Sequence, residues 1–299
     1  MTVAPGDEAA RDAATDSVTF AFGDPEADLY GLARLGLSRA ADGERRGTAL
    51  ALLFAGRRPV AAVAREAAPV AADPSWDAIE LAGVRAGIDA PLSRWQVAFE
   101  GEGGEGFSLE FEATGDPALL PDGDPVAQLG GMTGYDQPCR VRGSVRAGGR
   151  EQRVECLGQR GHAWGDPAWD RISLARTVTA WTEAGPAASL VALRPVGARH
   201  HDEEAVWAAF WQPGGLLPLD ESRLSTTYDA DGRTRRAGLE LWPASEDGED
   251  VWPRRGAGEV ICGSSLDLGD LRLDCAFFRW HLAGREGVGR YDLIRHAAA

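Results

Sequence analysis

A short stretch near the middle of the chain gathers the side chains best suited to chemistry. Between Gly158 and Asp170 the sequence supplies a guanidinium, an imidazole, two indoles and a carboxylate, from Arg160, His162, Trp164, Trp169 and Asp166. If the segment is extended, His162 and Trp164 project to the same side, because they are two residues apart. An imidazole has an unperturbed pKa of about 6.5, so His162 can donate or accept a proton near neutral pH.

The same stretch has a purely structural interpretation. His162 would then be buried and hydrogen-bonded to the backbone, and the Trp rings would close the end of a barrel. We predict an irregular break between strands here, because glycines recur from Gly158 to Gly165. The residues alone leave both interpretations open.

Other motifs give no competing site. Residues 101–106 match the G-x-G-x-x-G pattern, but they lie between two alternating segments and carry two carboxylates where a pyrophosphate would sit. We therefore interpret them as a hairpin loop. His200 and His201 are adjacent, and adjacent strand residues point to opposite faces, so one metal ion cannot easily bind both. The sequence predicts neither a cofactor nor a metal.

The composition excludes several classes of partner. The chain has 299 residues, with 46 acidic against 31 basic side chains and a net charge of −15 at pH 7. Such a protein is repelled by nucleic acids and by anionic membranes, so we expect neither as a partner. No apolar run approaches the roughly 18–20 residues of a membrane span, which predicts no integral membrane association.

The N-terminus and the cysteines indicate a cytoplasmic protein. Residues 1–17 are polar and lack the apolar core of a secretion signal, so we expect a disordered tail. The four cysteines show no C-x-x-C spacing, which fits a reduced interior. The inferred strand registers place Cys139 diagonal to Cys156 and Cys262 diagonal to Cys275, which disfavours disulfide bonds.

Alternation with a period of two predicts an all-β fold of antiparallel strands. Residues 94–100 and 107–112 should form one hairpin, and residues 139–146 and 152–157 another. Pro59 and Pro69 interrupt an Ala-rich stretch that otherwise has helical propensity, so we expect paired strands at 48–54 and 60–65. A helical turn is expected only at residues 73–78.

Many short antiparallel strands separated by turns are typical of β-sandwiches or barrels, and the length of this chain suits two such domains in tandem. We expect a disordered tail at 1–17, an N-terminal β domain at 18–160 and a C-terminal lipocalin-like β domain at 161–299. The seam should fall in the Gly-rich stretch between Gly158 and Trp169.

Residues 91–100, 134–143 and 158–165 resemble the hydroxyneurosporene synthase (carotenoid 1,2-hydratase) and AttH-like superfamily, most closely its uncharacterised bacterial members. The resemblance extends from about Leu29 to Tyr291. It implies two tandem lipocalin-like (calycin-like) domains and action without cofactors on apolar substrates. Relatives include hydratases of polyenes and cyclases of polyketide-derived trienes, among them Diels–Alderases.

The chain departs from the family motif Arg-Asp-His-Ser-Trp-Gly at two positions, with Gly161 for the Asp and Ala163 for the Ser. A carboxylate that could fix the imidazole tautomer is therefore lost, unless Asp166 or Asp170 replaces it. Between Arg176 and Val196 the only acid is Glu183, beside a Gly-Pro turn, which disfavours carotenoid hydration.

Two main functions remain open. In the first, the protein is an isomerase, cyclase or hydratase for a hydrophobic isoprenoid or polyketide-derived molecule. His162 acts with Arg160 or Asp166, and the substrate contacts five aromatic residues: Trp164, Trp169, Tyr135, Trp181 and Trp280. In the second, a lipocalin-like carrier uses the same aromatic residues without turnover. A third interpretation is a fold without a pocket that binds another protein.

Overall fold

A computed structural model describes residues 3–40, 43–183, 185–245 and 251–297. Almost all of its regular structure is antiparallel β-strand, as the alternation predicts. The chain forms two compact units: Met1–Pro121 with Gly131–Pro167, and Asp122–Gly130 with Ala168–Ala299.

The first unit is one eleven-stranded antiparallel sheet. Its strands are β1 (Thr15–Asp24), β2 (Leu29–Arg39), β3 (Arg45–Ala55), β4 (Arg58–Pro69), β5 (Ile79–Leu81), β6 (Val84–Ala90), β7 (Arg94–Glu100), β8 (Gly106–Ala113), β9 (Ala118–Leu120), β10 (Met132–Ala147) and β11 (Arg150–Gly165). The order is β4-β3-β2-β1-β11-β10-β8-β7-β6-β5, with β9 beside β10. A 3-10 turn at Pro5–Glu8 precedes β1.

The sheet of the first unit curls so that its two ends approach each other. A Cβ atom placed at Gly47 on β3 would lie 2.7 Å from the Leu81 side chain on β5. The enclosed face is largely apolar, with a smaller group of buried polar side chains. The aromatic side chains of this core are Phe20, Phe22, Trp76, Trp95, Phe99, Phe107 and Phe111.

The second unit is a nine-stranded antiparallel sheet in the order β15-β14-β13-β12-β20-β19-β18-β17-β16. Its strands are β12 (Ile172–Thr182), β13 (Ala187–Pro195), β14 (Ala205–Gln212), β15 (Gly215–Leu217), β16 (Leu219–Tyr228), β17 (Thr234–Pro243), β18 (Arg254–Leu268), β19 (Leu271–Leu282) and β20 (Arg285–His296). Two 3-10 turns, Trp169–Arg171 and His201–Glu203, lie in the connections. Phe210, Phe278, Trp280 and Tyr291 are among its core residues.

The predicted hairpins are present. In the β7–β8 pair, Trp95 lies opposite Phe111 and Phe99 opposite Phe107. The β10–β11 hairpin and the β3–β4 pair are also confirmed. The strand registers place Cys139 diagonal to Cys156 and Cys262 diagonal to Cys275, as inferred from the sequence.

The helical segment lies elsewhere than expected. Residues 73–78 form a turn and no helix, whereas Pro125–Gly130 forms α1. Asp124 caps this helix, since its Oδ1 accepts a hydrogen bond from the Val126 amide over 2.8 Å. Pro125 occupies the first helical position, where proline is favoured.

The structure divides the chain differently from the sequence-based domain limits. The segment predicted as a disordered tail contains the Pro5–Glu8 turn and the first residues of β1, and it buries the side chains of Glu8 and Asp16. The boundary between the two units, at Pro167 and Ala168, falls within the expected seam between Gly158 and Trp169. Residues 158–165 of that stretch, however, are the second half of β11 and not an irregular break. Glycine allows neighbouring strands to lie close together there, because a Cβ atom at Gly158 would lie 2.3 Å from the Ala21 carbonyl oxygen.

Within the described ranges, no helix has the length and apolar character that crossing a membrane would require.

Candidate functional site

Strand β11 carries three of the predicted site residues on the interior face of the first unit. Arg160, His162 and Trp164 alternate along it, so all three project inward. Arg160 is 2% exposed and His162 is 1% exposed, while Trp164 is half-buried. The extended backbone assumed from the sequence is therefore present.

A carboxylate from β1 holds the imidazole. Val18 pairs directly with His162, which makes Asp16 its diagonal neighbour on the same face. His162 Nε2 lies 2.6 Å from Asp16 Oδ1. Asp16 Oδ2 accepts hydrogen bonds from Trp76 Nε1 over 2.9 Å and from the Arg11 amide over 2.7 Å. Three donors thus fix the carboxylate that orients the ring.

The second ring nitrogen of His162 has a different environment. Nδ1 is buried and has no hydrogen-bond partner among the residues that the structure describes. Three rings surround the imidazole edge-on, with centroid distances of 5.1 Å for Trp164, 5.7 Å for Tyr135 and 6.2 Å for Trp76. When the Nε2 proton points at Asp16, Nδ1 is a proton acceptor, and the imidazolium form would donate from it.

Arg160 pairs with an acid that the sequence analysis did not single out. Glu8 is 1% exposed, and its Oε1 accepts hydrogen bonds from Trp95 Nε1 over 3.0 Å, Tyr135 OH over 3.2 Å and Arg160 Nη1. Its Oε2 accepts from the Leu92 amide. Four donors therefore converge on one carboxylate.

Gln137 fixes the guanidinium from the other side. Its Oε1 accepts a hydrogen bond from Arg160 Nη2 over 2.5 Å. Its Nε2 donates to the carbonyl oxygens of Leu92, over 3.1 Å, and Gly115, over 2.7 Å. Burial raises the pKa of the neighbouring Tyr135; the Arg160 charge opposes this rise and the Glu8 charge adds to it. Tyr135 therefore remains a hydrogen-bond donor at physiological pH.

A surface cavity adjoins this network. It has a volume of about 410 Å³ and is lined by Gly6, Ala9, Ala10, Arg11, Asp12, Ala13 and Trp164. The Arg11 guanidinium lies 3.8 Å from the centre of the Trp164 ring, a cation–π contact. Trp164 thus contacts His162 and also borders the cavity.

Asp166 does not join the site. It follows the last residue of β11, is exposed, and its amide donates to the Gly131 carbonyl oxygen over 2.8 Å. Asp170 is exposed as well. The carboxylate expected from one of them comes from Asp16, because the β1–β11 pairing brings that residue beside the imidazole.

Three predicted substrate-binding residues belong to the second unit. Trp169 lies in the 3-10 turn before β12, where its carbonyl oxygen accepts a hydrogen bond from His296 Nε2 over 3.0 Å. Trp181 and Trp280 are buried in the second unit. Trp280 stacks on Phe278 at a centroid distance of 5.9 Å. Trp181 and Trp280 are therefore core residues of the second unit, and Trp169 lies in its first turn, whereas Tyr135 and Trp164 contact His162.

The second unit has a buried ionic cluster of its own. Arg176 donates to Glu204 and, over 3.0 Å, to Thr226 Oγ1. Tyr291 OH lies 2.7 Å from the same Thr226 oxygen, and burial raises the pKa of Tyr291 to about 12. The acid that pairs with Arg176 is Glu204, whose side chain is buried, whereas Glu183 is exposed.

Glu8 and Asp16 were not among the predicted site residues, because both lie in a polar segment interpreted as a tail. Asp16 had a detectable signal, since it continues the period-two pattern of Val18 and Phe20 backwards along β1. Glu8 lies in a four-residue turn and had no such signal. Across the described part of the chain, no group of three or more His, Cys, Asp or Glu side chains is placed to hold a metal ion.

Residues 4–297 match the protein family described as Domain of unknown function (DUF7064). None of the curated proteins matches the chain significantly. Among the solved structures that share its fold, three illustrate the low sequence identity. A Nitrosomonas europaea protein assigned as AttH is 12% identical, with a TM-score of 0.71 over 96% of this chain and 94% of that one.

CghA is 15% identical, with a TM-score of 0.64 over 99% of this chain and 90% of that one. Kievitone hydratase from Nectria haematococca is 10% identical, with a TM-score of 0.60 over 96% of this chain and 90% of that one. These likenesses confirm the predicted architecture of tandem lipocalin-like β units. The chain therefore belongs to the DUF7064 family and has the AttH-like fold.

Proposed function

We propose that the protein is a cofactor-independent enzyme of the isomerase, cyclase or hydratase type, acting on a largely apolar small molecule. The observation that carries the proposal is the His162–Asp16 pair, in which Nδ1 is left without a hydrogen-bond partner among the described residues. Two proteins of the same fold support it, since one is a kievitone hydratase and CghA has been solved with Sch210972.

The pair supplies acid–base chemistry from side chains alone. Asp16 holds the Nε2 proton, so Nδ1 removes a proton from a substrate carbon and returns it to another position, which shifts a double bond without any change in oxidation state. In a hydration the same two steps occur in reverse order. Protonated Nδ1 first donates its proton to the alkene, and after water adds to the resulting cation, Nδ1 takes back the proton that the water loses. Trp164 and Tyr135 stabilise the positive charge that develops on the ring or the substrate.

Substrate access requires movement of the N-terminal segment, defined here as residues 3–14. The His162 side chain is 0% exposed. Residues 6 and 9–13 border the cavity beside Trp164, and the Arg11 amide is bonded to Asp16. Displacement of this segment would extend the cavity past Trp164 towards the imidazole.

The experiment compares the parent protein with His162→Gln, using the intermediates made by enzymes encoded beside this gene. Conversion is followed by mass spectrometry and folding by circular dichroism. We expect H162Q to fold and its turnover to fall about 100-fold or more, the usual contribution of a general acid–base residue. His281→Gln is the matched control, because His281 is an exposed histidine of the second unit.

Unchanged turnover in H162Q would refute the assignment of His162. Binding of the intermediate by the parent protein without conversion would instead establish the carrier function.

A further inference from the structure

We infer that the donors around Glu8 form a carboxylate-binding site, in which Glu8 takes the place of the acidic head group of the substrate. This site, called the head-group site below, consists of Arg160, Tyr135, Trp95 and the Leu92 amide. The inference rests on the proposed function and deepens it, because it names the substrate as an apolar molecule with a carboxylate.

The head-group site has the composition of a built anion site. A guanidinium, a phenol, an indole N–H and a backbone amide converge on the two oxygens of Glu8. All four are hydrogen-bond donors, and burial excludes competing water. Such a set would recognise any carboxylate that reached the same position.

The site is held in place independently of Glu8. Gln137 binds the far side of the guanidinium, and two backbone carbonyl oxygens fix Gln137. The Arg160 guanidinium also lies between two rings, 5.9 Å from the centre of Trp95 and 5.6 Å from that of Tyr135. Without Glu8, a buried positive charge would remain fixed and unneutralised, which is costly unless another anion replaces it.

Glu8 is attached more loosely than the donors that bind it. Arg160, Tyr135 and Trp95 lie on paired strands, whereas Glu8 ends a four-residue 3-10 turn. Gly6 and Ala9 on either side of Glu8 are exposed. A local movement of the N-terminal segment would therefore withdraw the Glu8 carboxylate without breaking a strand pair.

The position of the site suits the proposed chemistry. The Tyr135 hydroxyl donates a hydrogen bond to Glu8, and the centre of the Tyr135 ring is 5.7 Å from the centre of the His162 ring. A substrate carboxylate in place of Glu8 would therefore bring the adjoining carbons towards the imidazole. The same ligand would release the segment that covers His162, so head-group binding and access to the catalytic residue would be coupled.

Octanoate, an apolar chain with a carboxylate, serves as the probe, and 1-octanol is its neutral counterpart. In the parent protein octanoate competes with a tethered carboxylate whose effective concentration is in the millimolar range or above. Glu8→Ala removes this competitor, so octanoate should bind E8A at least about tenfold more tightly in calorimetry. The affinity for 1-octanol should not change.

Two further variants test the assignment. Adding Arg160→Gln to E8A should abolish the gain for octanoate, because the guanidinium supplies the charge that attracts it. Glu102→Ala, which removes an exposed acid from a loop of the same unit, should bind octanoate as the parent does. Equal octanoate affinity in the parent and in folded E8A would overturn the inference.

A measurement on the unaltered chain covers the case in which E8A fails to fold. Saturating octanoate should speed amide hydrogen exchange in residues 3–14 of the parent protein, whereas 1-octanol should not. Unchanged exchange with octanoate would overturn the inference. These readouts involve no turnover, so they can succeed when H162Q retains full activity and the proposed function fails.

Discussion

Asp16 and His162 lie diagonally across the β1–β11 pair, and their side chains meet at 2.6 Å between Oδ1 and Nε2. They are 146 residues apart in the chain. The Trp76 indole and the Arg11 amide hold the other carboxylate oxygen. The orientation of the imidazole therefore depends on a residue from the first strand of the protein.

Replacing Asp16 with Asn should destabilise the first unit. The amide has one acceptor oxygen, while three donors point at the present carboxylate, so at least one donor would face the NH₂ group. Leaving a buried donor without an acceptor costs about 1–3 kcal/mol. Urea unfolding of D16N measures this loss.

The control for D16N is Asp12→Asn, because Asp12 is an exposed acid of the same N-terminal segment. A surface change of this kind should alter the free energy of unfolding by only about 0.5 kcal/mol or less. Equal stability of D16N and D12N would contradict the structural role of Asp16.

Placing Asp at position 161, as in the motif of the superfamily that the sequence resembles, should also destabilise the protein. Gly161 lies directly opposite Asp136, and a Cβ atom there would be 2.5 Å from Asp136 Oδ1. An Asp at this position needs a local shift and brings two carboxylates together, which together cost about 1–3 kcal/mol. Denaturant unfolding of Gly161→Asp measures the effect.

A double-mutant cycle identifies the cause of that loss. In an Asp136→Ser background most of the cost of G161D should disappear, so the coupling energy between the two positions should exceed about 1 kcal/mol. Additive effects would show that Asp136 is not the reason for glycine at this position.

Alkaline pH should weaken the fold before Tyr135 or Tyr291 ionises in the folded protein. Burial raises the pKa of Tyr291 to about 12 and raises that of Tyr135 further. Because the unfolded chain loses these protons near pH 10, stability is complete below pH 10 and falls as the pH rises towards the folded-state values. Y135F and Y291F should each show a shallower fall in the free energy of unfolding between pH 9 and 11. Slopes equal to the parent's would contradict the prediction.

Buried thiols should resist modification. Burial raises the pKa of Cys139 to about 12 and raises those of Cys156 and Cys275 as well. At pH 8 the reactive thiolate is therefore scarce in the folded protein. Reaction with Ellman's reagent should be at least about 100-fold slower in buffer than in guanidinium chloride. Rapid labelling of any of the three in buffer would indicate local opening around that residue.

Local patterns predicted the strands, and partly the site. Trp95, Val97 and Phe99 alternate within one strand, so the β7–β8 hairpin was readable from its own residues. His162 and Trp164 share a face for the same reason.

The alternation of β1 could place Asp16 on the inner face, but neither its pairing with His162 nor that of Glu8 with Arg160 could be predicted, because contacts across about 150 residues leave no trace in the local sequence. Glycines were misleading at residues 158–165, where they accommodate neighbouring backbone inside a strand. Helix α1 did have a local signal, the capping residue Asp124 followed by Pro125.

The pairing of β1 with β11 sets the order of events during synthesis. Residue 165 must leave the ribosome before the two strands can pair fully, roughly 10–30 s after translation starts. Until then β1 is paired with β2 along one edge only. The other edge of β1 has unpaired amides and carbonyls that can recruit a second nascent chain. A chaperone that acts on this protein should therefore be needed most while residues 25–165 are being made.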